Sequence, residues 1–381
     1  MKIATLTVHN GYNFGASLQA FALVTALREM GLEAHLLDYR NENIENVARR
    51  QQTANWRDIR CLKKNLTVVA RRVIGRSADN RMKNRYEQFH KSILDPFCGP
   101  VYSTSDFTEI NRHYDGFVCG SDQIWNYKIT GDDLAFFLNF ADDNKLKMAY
   151  AASLGAPKLN YPVERIEQIS HLLHRFDAVS VRESKNQDEV AVLSGQECQC
   201  VVDPVLLVDR QKWIEMANMS PVVVPKKPYA LCYQVLQDPE FHGFAKQVAQ
   251  KNGLPLIRMD WHPMKARMKG CQSVSNAGIG PLEFLKLFLN AEVIISNSFH
   301  GTVFSMLFNK KFVVHELVHN HAAKNVRIVE LLRMVGLSDR MTRDPNCEIN
   351  AHVDWQAVEA RMKPQIGASR TFLKSALSNE K

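Results

Sequence analysis

The alternation of strand-like and helix-like segments along both halves of the chain is the feature that most constrains its fold. In the first half, a strand-like run at 2–8 is followed by a helix-like stretch at 16–30 and a second strand-like run at 33–39. Proline-bearing residues 220–228 then precede a second half in which the same alternation restarts. This order of segments is typical of α/β domains, in which helices cover a mostly parallel sheet.

Two such domains are predicted, because the 381-residue length exceeds what one hydrophobic core usually supports. We place the first domain at 1–220 and the second at 228–345, with a helix at 353–377 that returns to the first domain. Ligands of parallel sheets bind at the carboxyl ends of the strands. The cleft between the two domains is therefore the predicted site.

The positive charge of the chain is concentrated in one segment. Residues 49–91 carry thirteen lysines and arginines against three acidic residues, whereas the whole chain has a net charge of +8. Within the predicted helical insert at 45–95, apolar residues recur every three or four positions and predict an amphipathic basic helix at 55–76. Such a helix can lie on an anionic membrane surface, or its apolar face can pack on the domain. No recognisable nucleic-acid-binding module accompanies the charge, so we predict no nucleic-acid partner.

The amino-terminal residues and the cysteines indicate a cytoplasmic protein. Residues 2–8 form a strand-like run rather than a secretory signal, and no apolar run approaches the roughly 18–20 residues that cross a bilayer. The eight cysteines are scattered and lack the paired spacing of a zinc site. We therefore predict reduced thiols and no metal, and we leave a homo-oligomer open.

His300 is the first candidate functional residue. Residues 293–309 change from strand-like to helix-like periodicity around it, which places the histidine in the first turn of a helix. Gly301 removes a side chain beside it, and Ser298 and Thr302 supply hydroxyl groups. The amino end of a helix favours an anion, so His300 can bind an anion as imidazolium or donate a proton to a substrate. The alternative is a histidine with a structural role.

Further candidates lie where the strands of the first half end. Ser121, Asp122 and Gln123 combine hydroxyl, carboxylate and amide groups that suit a polyhydroxylated ligand, although Asp122 can instead be a helix N-cap. Arg182 follows an apolar strand, and its forked cation suits a carboxylate or a phosphate. An ion pair with Glu183 is the alternative for Arg182.

The loop after the first strand contains Gly11, Asn13 and Gly15. Their spacing is not that of a dinucleotide-binding fingerprint. These residue types permit a tight turn and let a ligand approach the backbone where the first helix begins. Turn geometry alone is the alternative explanation for them.

Taken together and in this order, several motifs resemble the polysaccharide pyruvyl transferase family. They are HNGYNFGASLQAFAL, GSDQIWN, YAASLGA, SVRES, VVDPVLL and ISNSFHGTVFSMLFNKKF. The resemblance spans most of the chain and implies two Rossmann-like domains in a GT-B-type arrangement, with the acceptor on the first domain and the donor on the second. It also implies transfer of a pyruvyl group from phosphoenolpyruvate, as co-substrate, to a sugar, giving a pyruvate ketal without a cofactor or metal.

The same resemblance implies roles for individual residues. His300 matches the family's general acid and Arg182 the arginine that contacts the donor, and Asp122 is our candidate base. The candidate donor-binding residues are Asn297, Ser298, Phe299, Gly301, Thr302 and Arg327. The candidate acceptor-binding residues are Asn13, Gly15, Ser121 and Gln123. Better-studied members carry an arginine where this chain has Ser298, and Arg327 is the candidate substitute.

The basic helix at 55–76 gains a function if the acceptor sugar is carried on a polyprenyl phosphate. It would then dock a cytoplasmic enzyme at the inner face of the membrane. Two other functions stay open. One is a nucleotide-sugar-dependent glycosyltransferase of GT-B type, and the other is a non-catalytic carbohydrate-binding member in which Ser298 marks a lost donor site.

Overall fold

The computed structural model describes residues 1–40, 43, 81–102, 106–236, 238–259, 272–273 and 278–378. The predicted basic helix at 55–76 lies outside these residues, and so does most of the predicted insert at 45–95.

A parallel sheet dominates the first half of the described chain. Its strands are β1 (Lys2–Leu6), β2 (Glu33–Tyr39), β3 (Cys98–Tyr102), β4 (Gly116–Gly120), β5 (Leu146–Ala152), β6 (Ala178–Val181) and β7 (Cys198–Cys200). They lie side by side in the order β3-β2-β1-β4-β5-β6-β7. Strands β4 and β5 are buried along their whole length, as expected for a parallel sheet that is covered on both faces.

A second parallel sheet is built from the later strands. These are β8 (Ala230–Tyr233), β9 (Leu256–Met259), β10 (Gln272–Ser273), β11 (Val293–Ser296), β12 (Lys311–His315) and β13 (Met341–Thr342). Their order is β10-β9-β8-β11-β12-β13. In both sheets the order reverses beside the first strand, between β1 and β4 and between β8 and β11. Ligands of such sheets bind outside the carboxyl ends of the strands at this reversal.

Helices cover both sheets. Among the described residues they are α1 (Phe14–Glu29), α2 (81–89), α3 (Phe107–His113), α4 (Tyr127–Thr130), α5 (Val163–Leu173), α6 (Gln187–Ser194), α7 (Arg210–Asn218), α8 (Phe241–Lys251), α9 (Pro281–Asn290), α10 (Phe299–Leu307), α11 (Val326–Val335) and α12 (Trp355–Ser378). We call the elements around the first sheet the first domain and those around the second sheet the second domain.

The predicted strand at 2–8 ends earlier than the sequence suggested. It stops at Leu6, and Thr7 beyond it donates its hydroxyl to the Ser121 carbonyl at 3.0 Å. Strand β7 is also short, and a 3₁₀ turn follows it at Pro204–Leu207.

Helix α1 lies in the core that the two domains share. All of its residues from Phe14 to Leu27 are buried, as in a helix that is packed on every side. The Phe14 ring stacks on Phe284 of α9 with the ring centroids 5.1 Å apart, and lies 5.9 Å from Tyr233 of β8. These aromatic contacts join the amino end of α1 to the second domain.

Helix α12 contacts both domains. In its first half, Arg361 donates from Nη1 to the Val335 carbonyl of α11 at 2.8 Å. In its second half, the Ser369 hydroxyl accepts the Val202 N–H at 3.0 Å, and Phe372 lies 6.4 Å from the Tyr150 ring. The predicted domain boundaries stay predictions, although α7, which precedes the proposed linker, packs against α9 of the second domain.

Candidate active site

The carboxyl ends of the two sheets face each other across a shared site. Arg182 follows β6 directly, and Asp203 lies three residues beyond β7. His300 belongs to the first turn of α10, which begins after β11. Because β11 lies at the reversal of strand order in the second sheet, the histidine occupies the position where such sheets bind ligands.

One oxygen of Asp203 connects these residues. Its Oδ2 accepts hydrogen bonds from Arg182 Nη1 at 2.7 Å and from Ser121 Oγ at 3.2 Å. His300 Nε2 lies 3.4 Å from the same oxygen, at ion-pair distance but without the geometry of a hydrogen bond. The other oxygen, Oδ1, accepts the Val205 N–H at 3.1 Å. A single buried carboxylate thus joins the first domain to the histidine of the second.

The charges of this group are fixed by their mutual contacts. Burial raises the pKa of Asp203, but His300 and Arg182 outweigh that effect and hold it well below its ordinary value. Burial lowers the pKa of Arg182, whereas Glu183, Asp203 and Asp122 together place it above its ordinary value. Asp203 is therefore an anion and Arg182 a cation at every working pH.

Arg182 makes further contacts that aim its guanidinium into the site. Its Nε donates to Glu183 Oε1 at 3.3 Å, so the ion pair considered as the alternative is present. Its Nη2 lies 3.8 Å from Asp122 Oδ1, and its Cζ lies 4.7 Å from the centre of the Phe299 ring. Within the described residues Nη2 is buried without a hydrogen-bond acceptor. Arg182 thus has one donor group left for a ligand.

His300 is held between the two domains. It is 8% exposed, and its Nδ1 faces Gly15 at the start of α1. A methyl group added at Gly15 would lie 2.1 Å from Nδ1, closer than any real contact. Gly15, a predicted acceptor-binding residue, therefore allows the imidazole to approach the backbone of the first domain.

The polar residues around His300 mainly build the turn that carries it. The Ser298 hydroxyl accepts the Gly301 N–H at 3.2 Å and caps α10, and Thr302 Oγ1 donates to the Ser298 carbonyl at 3.0 Å. The Asn297 amide accepts the Val235 N–H at 2.9 Å. These predicted donor-binding groups are thus engaged within the second domain, and Ser298 and Thr302 fix the turn that carries His300.

Asp122 lies in a tight turn after β4. Its φ of 62° is in the left-handed region, and its carbonyl accepts the Ser153 N–H at 3.0 Å. Asn126, not Asp122, is the N-cap of α4. Neighbouring Gln123 accepts a hydrogen bond from Asn126 Nδ2 at 3.0 Å. The turn leaves the Asp122 carboxylate beside Arg182, with Oδ1 3.8 Å from Nη2.

Asn13 has a clear local role. Its Oδ1 accepts the Ala16 N–H at 3.3 Å and caps α1. Turn geometry therefore accounts for this residue, and its predicted role in acceptor binding stays a prediction.

Arg327 lies in the first turn of α11, next to the ring of Phe299. Its Cζ lies 5.5 Å from the Phe299 ring centre, so the ring is in contact with two guanidinium groups. Burial lowers the pKa of Arg327, and the neighbouring Arg182 lowers it further. The structure thus brings the proposed substitute cation to the same site as Arg182.

Two residues of the site were not predicted. Asp203 lies in the motif VVDPVLL, where an Asp-Pro pair after a strand suggests only a turn, although its position at a strand exit is the same signal that selected Arg182. Glu330 of α11 accepts hydrogen bonds from the Ser184 N–H at 3.1 Å and the Ser184 hydroxyl at 2.7 Å. Nothing in the sequence indicates that Glu330 bridges the domains.

The described residues contain neither a metal-binding cluster nor a membrane-spanning helix. No group of three or more histidine, cysteine or acidic side chains in these ranges could hold a metal ion. In the same part of the chain, no helix combines the length and apolar character that crossing a membrane requires.

Two Rossmann-like domains with facing sheet edges define the GT-B class of fold. The UDP-GlcNAc 2-epimerase from Methanocaldococcus jannaschii shares it, with 13% identity and a TM-score of 0.50 over 96% of this chain and 93% of that chain. The complex of the M. jannaschii epimerase with UDP-GlcNAc and UDP gives 13% identity and a TM-score of 0.50 over 99% of each chain. AviGT4, a glycosyltransferase involved in avilamycin A biosynthesis, gives 10% identity and a TM-score of 0.48 over 99% of this chain and 97% of that chain.

At these identities the likeness shows the fold alone, and the predicted GT-B-type arrangement is confirmed. The family model for polysaccharide pyruvyl transferase matches residues 13–315. The chain therefore belongs to the polysaccharide pyruvyl transferase family, whose members are transferases that act on polysaccharide. No curated protein matches the chain.

Proposed function

We propose that this chain transfers a pyruvyl group from phosphoenolpyruvate to two hydroxyl groups of a sugar, forming a pyruvate ketal. The observation that most supports this reaction is the meeting of Arg182 and His300 on one oxygen of Asp203. It sets a proton donor and a permanent cation side by side at the carboxyl ends of both sheets. A donor with a carboxylate, a phosphate and a basic vinyl carbon needs that combination.

His300 is the proposed general acid. The vinyl CH₂ of phosphoenolpyruvate takes a proton from the imidazole, and the adjacent carbon becomes an oxocarbenium-like centre. A sugar hydroxyl attacks this centre and loses its proton to a base. Inorganic phosphate then leaves with its oxygen, and a second hydroxyl closes the ketal ring and releases another proton. General acid catalysis of this kind contributes about 10²–10⁴-fold.

Asp122 is the proposed base. Its carboxylate lies 3.8 Å from Arg182 Nη2, and its side chain is 14% exposed, so it reaches the cleft. Its place at the exit of β4 puts it on the first domain, where the acceptor is expected. Ser121, whose hydroxyl is held by Asp203, and Gln123 flank it in the same turn.

Arg182 and Arg327 are the proposed cations for the donor. Two guanidinium groups in contact with one Phe299 ring repel each other in the free protein, and a multiply charged anion relieves that repulsion. Arg327 would then supply the charge that better-studied members carry at the position of Ser298.

The proposed acceptor is a sugar of a polysaccharide or of a polyprenyl-phosphate-linked oligosaccharide. We further propose a cytoplasmic enzyme that reaches a lipid-linked acceptor through the basic segment 55–76. Sedimentation with vesicles that contain anionic lipid, at low salt, tests this contact. Equal recovery of the protein with and without anionic lipid contradicts it.

Ligand-induced thermal stabilisation tests the donor. A ligand at 100 times its Kd stabilises a protein by about 2.7 kcal/mol, so phosphoenolpyruvate should raise the melting temperature. Stabilisation by nucleotide sugars instead would favour a glycosyltransferase, the function that the GT-B fold also accommodates. Binding of sugar without release of inorganic phosphate from phosphoenolpyruvate would indicate a non-catalytic carbohydrate-binding protein.

A further inference from the structure

A second group of polar side chains lies beyond the ends of β1 and β2, and the proposed reaction does not use it. Asp38, near the end of β2, is at its centre. Its Oδ1 accepts hydrogen bonds from Asn10 Nδ2 at 2.9 Å and from His9 Nε2 at 3.3 Å. Its Oδ2 accepts from Arg40 Nη2 at 2.8 Å. Together with His90 of a neighbouring turn, these residues form what we call the Asp38 cluster.

His9 supplies a fixed positive charge to the Asp38 cluster. It is 1% exposed, and its Nδ1 lies 3.0 Å from the Thr7 carbonyl while its Nε2 faces the Asp38 carboxylate. Both of these oxygens only accept hydrogen bonds, so the ring needs a proton on each nitrogen to satisfy them. Burial raises the pKa of Asp38, but His9, Asn10 and Arg40 hold it well below its ordinary value. His9 and Asp38 therefore form a stable internal ion pair.

The imidazole of His90 lies half-buried beside this ion pair. It begins the π-helical turn His90–Leu94 that follows α2, and its ring centre lies 6.2 Å from that of His9. Burial lowers the pKa of His90 to about 4, and His9 acts in the same direction. The ring is therefore neutral near pH 7, with one nitrogen that donates and one that accepts. Among the described residues, neither nitrogen has a hydrogen-bond partner.

Asp38 and Asn10 also have unused hydrogen-bonding capacity. A carboxylate offers about four lone-pair positions, and the described contacts of Asp38 occupy three of them. The Asn10 amide donates one of its hydrogens, and its Oδ1 has no donor in the described part of the chain. Free donors and free acceptors are thus mixed. Hydroxyl groups match this mixture because they both donate and accept, whereas a carboxylate or phosphate would bring only acceptors beside the Asp38 anion.

The Asp38 cluster lies next to the proposed acceptor position. Strand β1 pairs with β2 on one side and with β4 on the other, so the cluster and the turn of Asp122 lie at the same edge of the sheet. The Thr7 hydroxyl, which donates to the Ser121 carbonyl at 3.0 Å, joins the two places. Neighbouring strands are about 4.8 Å apart, so the ends of β2 and β4 are separated by about 10 Å. One sugar ring is too short to contact both.

We propose that Asn10, Asp38 and His90 form a second sugar subsite, which binds the residue next to the sugar that is pyruvylated. The acceptor is then an oligosaccharide rather than a single sugar. His9 and Arg40 hold the Asp38 carboxylate in place through their ion pairs. This subsite rests on the proposed function, which supplies the sugar acceptor beside Asp122.

A glycan array, incubated with the full chain and radiolabelled phosphoenolpyruvate, tests the subsite. Paired spots carry the same terminal hexose or N-acetylhexosamine, either alone or followed by a second sugar, and the readout is the ratio of label between the two. In the wild type the longer glycan should take up about tenfold more label, because it gains several hydrogen bonds. Asn10→Ala and His90→Ala should each lower this ratio about fivefold. Asp38 itself is left intact, because His9 needs its charge.

Matched controls are Asn290→Ala at the end of α9 and His113→Ala at the end of α3. Both side chains are exposed, and both helices end just before a strand begins, at the opposite edge of the sheet. These two variants should keep the wild-type ratio.

The outcomes separate the subsite from the function. If the wild type labels both members of a pair equally, the subsite is wrong and the function stands. If the wild type prefers the longer glycan and the ratio is unchanged in both Asn10→Ala and His90→Ala, the second sugar binds elsewhere and the proposal is overturned. If no spot takes up label, the proposed transfer is contradicted, and the subsite that rests on it is overturned too.

Discussion

His300 and Arg182 meet on the same oxygen of Asp203, although they belong to different domains. Arg182 Nη1 donates to Asp203 Oδ2 at 2.7 Å, and His300 Nε2 lies 3.4 Å from that atom. Since the carboxylate is fully buried, its interactions with both groups are only weakly screened by water. Asp203 therefore influences both proposed functional groups. It lies against the imidazole of His300, the proposed acid, and it pairs with the charge of Arg182, the proposed donor-binding arginine.

Replacing Asp203 tests this dependence. Asp203→Asn removes the negative charge and leaves the Arg182 cation buried without its closest partner. Loss of one partner of a buried ion pair costs about 3–5 kcal/mol, so we expect a loss of stability approaching that range together with a large fall in kcat. Denaturant unfolding and phosphate release measure the two effects. The matched control is Asp209→Asn at the N-cap of α7, which should change neither, and wild-type activity in Asp203→Asn would contradict the role.

Replacing His300 tests the general acid. His300→Ala should lower the rate of pyruvylation by about 10²–10⁴-fold, because the variant lacks the proposed proton donor. Circular dichroism and the melting curve should show a retained fold. Full activity of this variant would remove the role.

Replacing Arg182 tests contact with the donor. Arg182→Gln should raise the KM for phosphoenolpyruvate at least tenfold and change the KM for the sugar much less, because the proposed function assigns the lost charge to the donor. Initial rates at varied concentrations of each substrate give both constants. Arg175→Gln, at a partly exposed arginine near the other end of the sheet, is the control. An unchanged donor constant would count against the assignment.

Replacing Gly15 tests the position of the imidazole. Gly15→Ala places a methyl group 2.1 Å from His300 Nδ1, so the ring must move and activity should fall by about the same factor as in His300→Ala. Gly11→Ala is the matched control, because nothing lies within 4 Å of a methyl group there. Phosphate release by the two variants measures the difference. Equal activity of the pair would show that the ring position is not critical.

His90 predicts part of the acid sensitivity of the fold. Burial lowers the pKa of His90 to about 4, with a further effect from His9. The unfolded chain, in which the pKa is about 6.5, therefore binds the proton more tightly, and stability falls as the pH drops from about 6.5 toward 4. The contribution at pH 5 is about 2 kcal/mol.

Denaturant midpoints at pH 7.5 and pH 5 measure this contribution. His90→Gln should lose less stability between the two pH values than the wild type does. His113→Gln, at an exposed histidine of α3, should behave like the wild type. An identical pH dependence of His90→Gln and the wild type would contradict the prediction.

The sequence was sufficient for two α/β domains because the central strands are short apolar runs that alternate with helices. The edge strands β3, β10 and β13 were not predicted, since they are short and lack such runs. The sequence also marked His300, Arg182 and Asp122, since each follows a strand and the carboxyl ends of parallel strands lie at one edge. It did not distinguish a residue that faces a ligand from one that builds the turn. Asn13 and Ser298 have the right chemistry for binding, yet their side chains cap α1 and α10.

The contacts that assemble the site could not be read from the sequence, because they join residues that are distant along the chain. The sequence predicts that Gly15 binds the acceptor or builds a turn, and only the packing of the domains shows that His300 requires the space beside it. Asp203 carries no periodic signal, since a single Asp-Pro pair is compatible with any turn. Glu330 lies on a helix whose pattern reports only which face is apolar.

The aromatic packing around Phe14 opposes separation of the two domains. Pulling the two halves apart would wet the rings of Phe14, Phe284 and Tyr233, at about 25 cal/mol for each Å² of apolar surface exposed. An opening that breaks these contacts is therefore disfavoured, so the same packing keeps His300 beside Gly15 and Asp203.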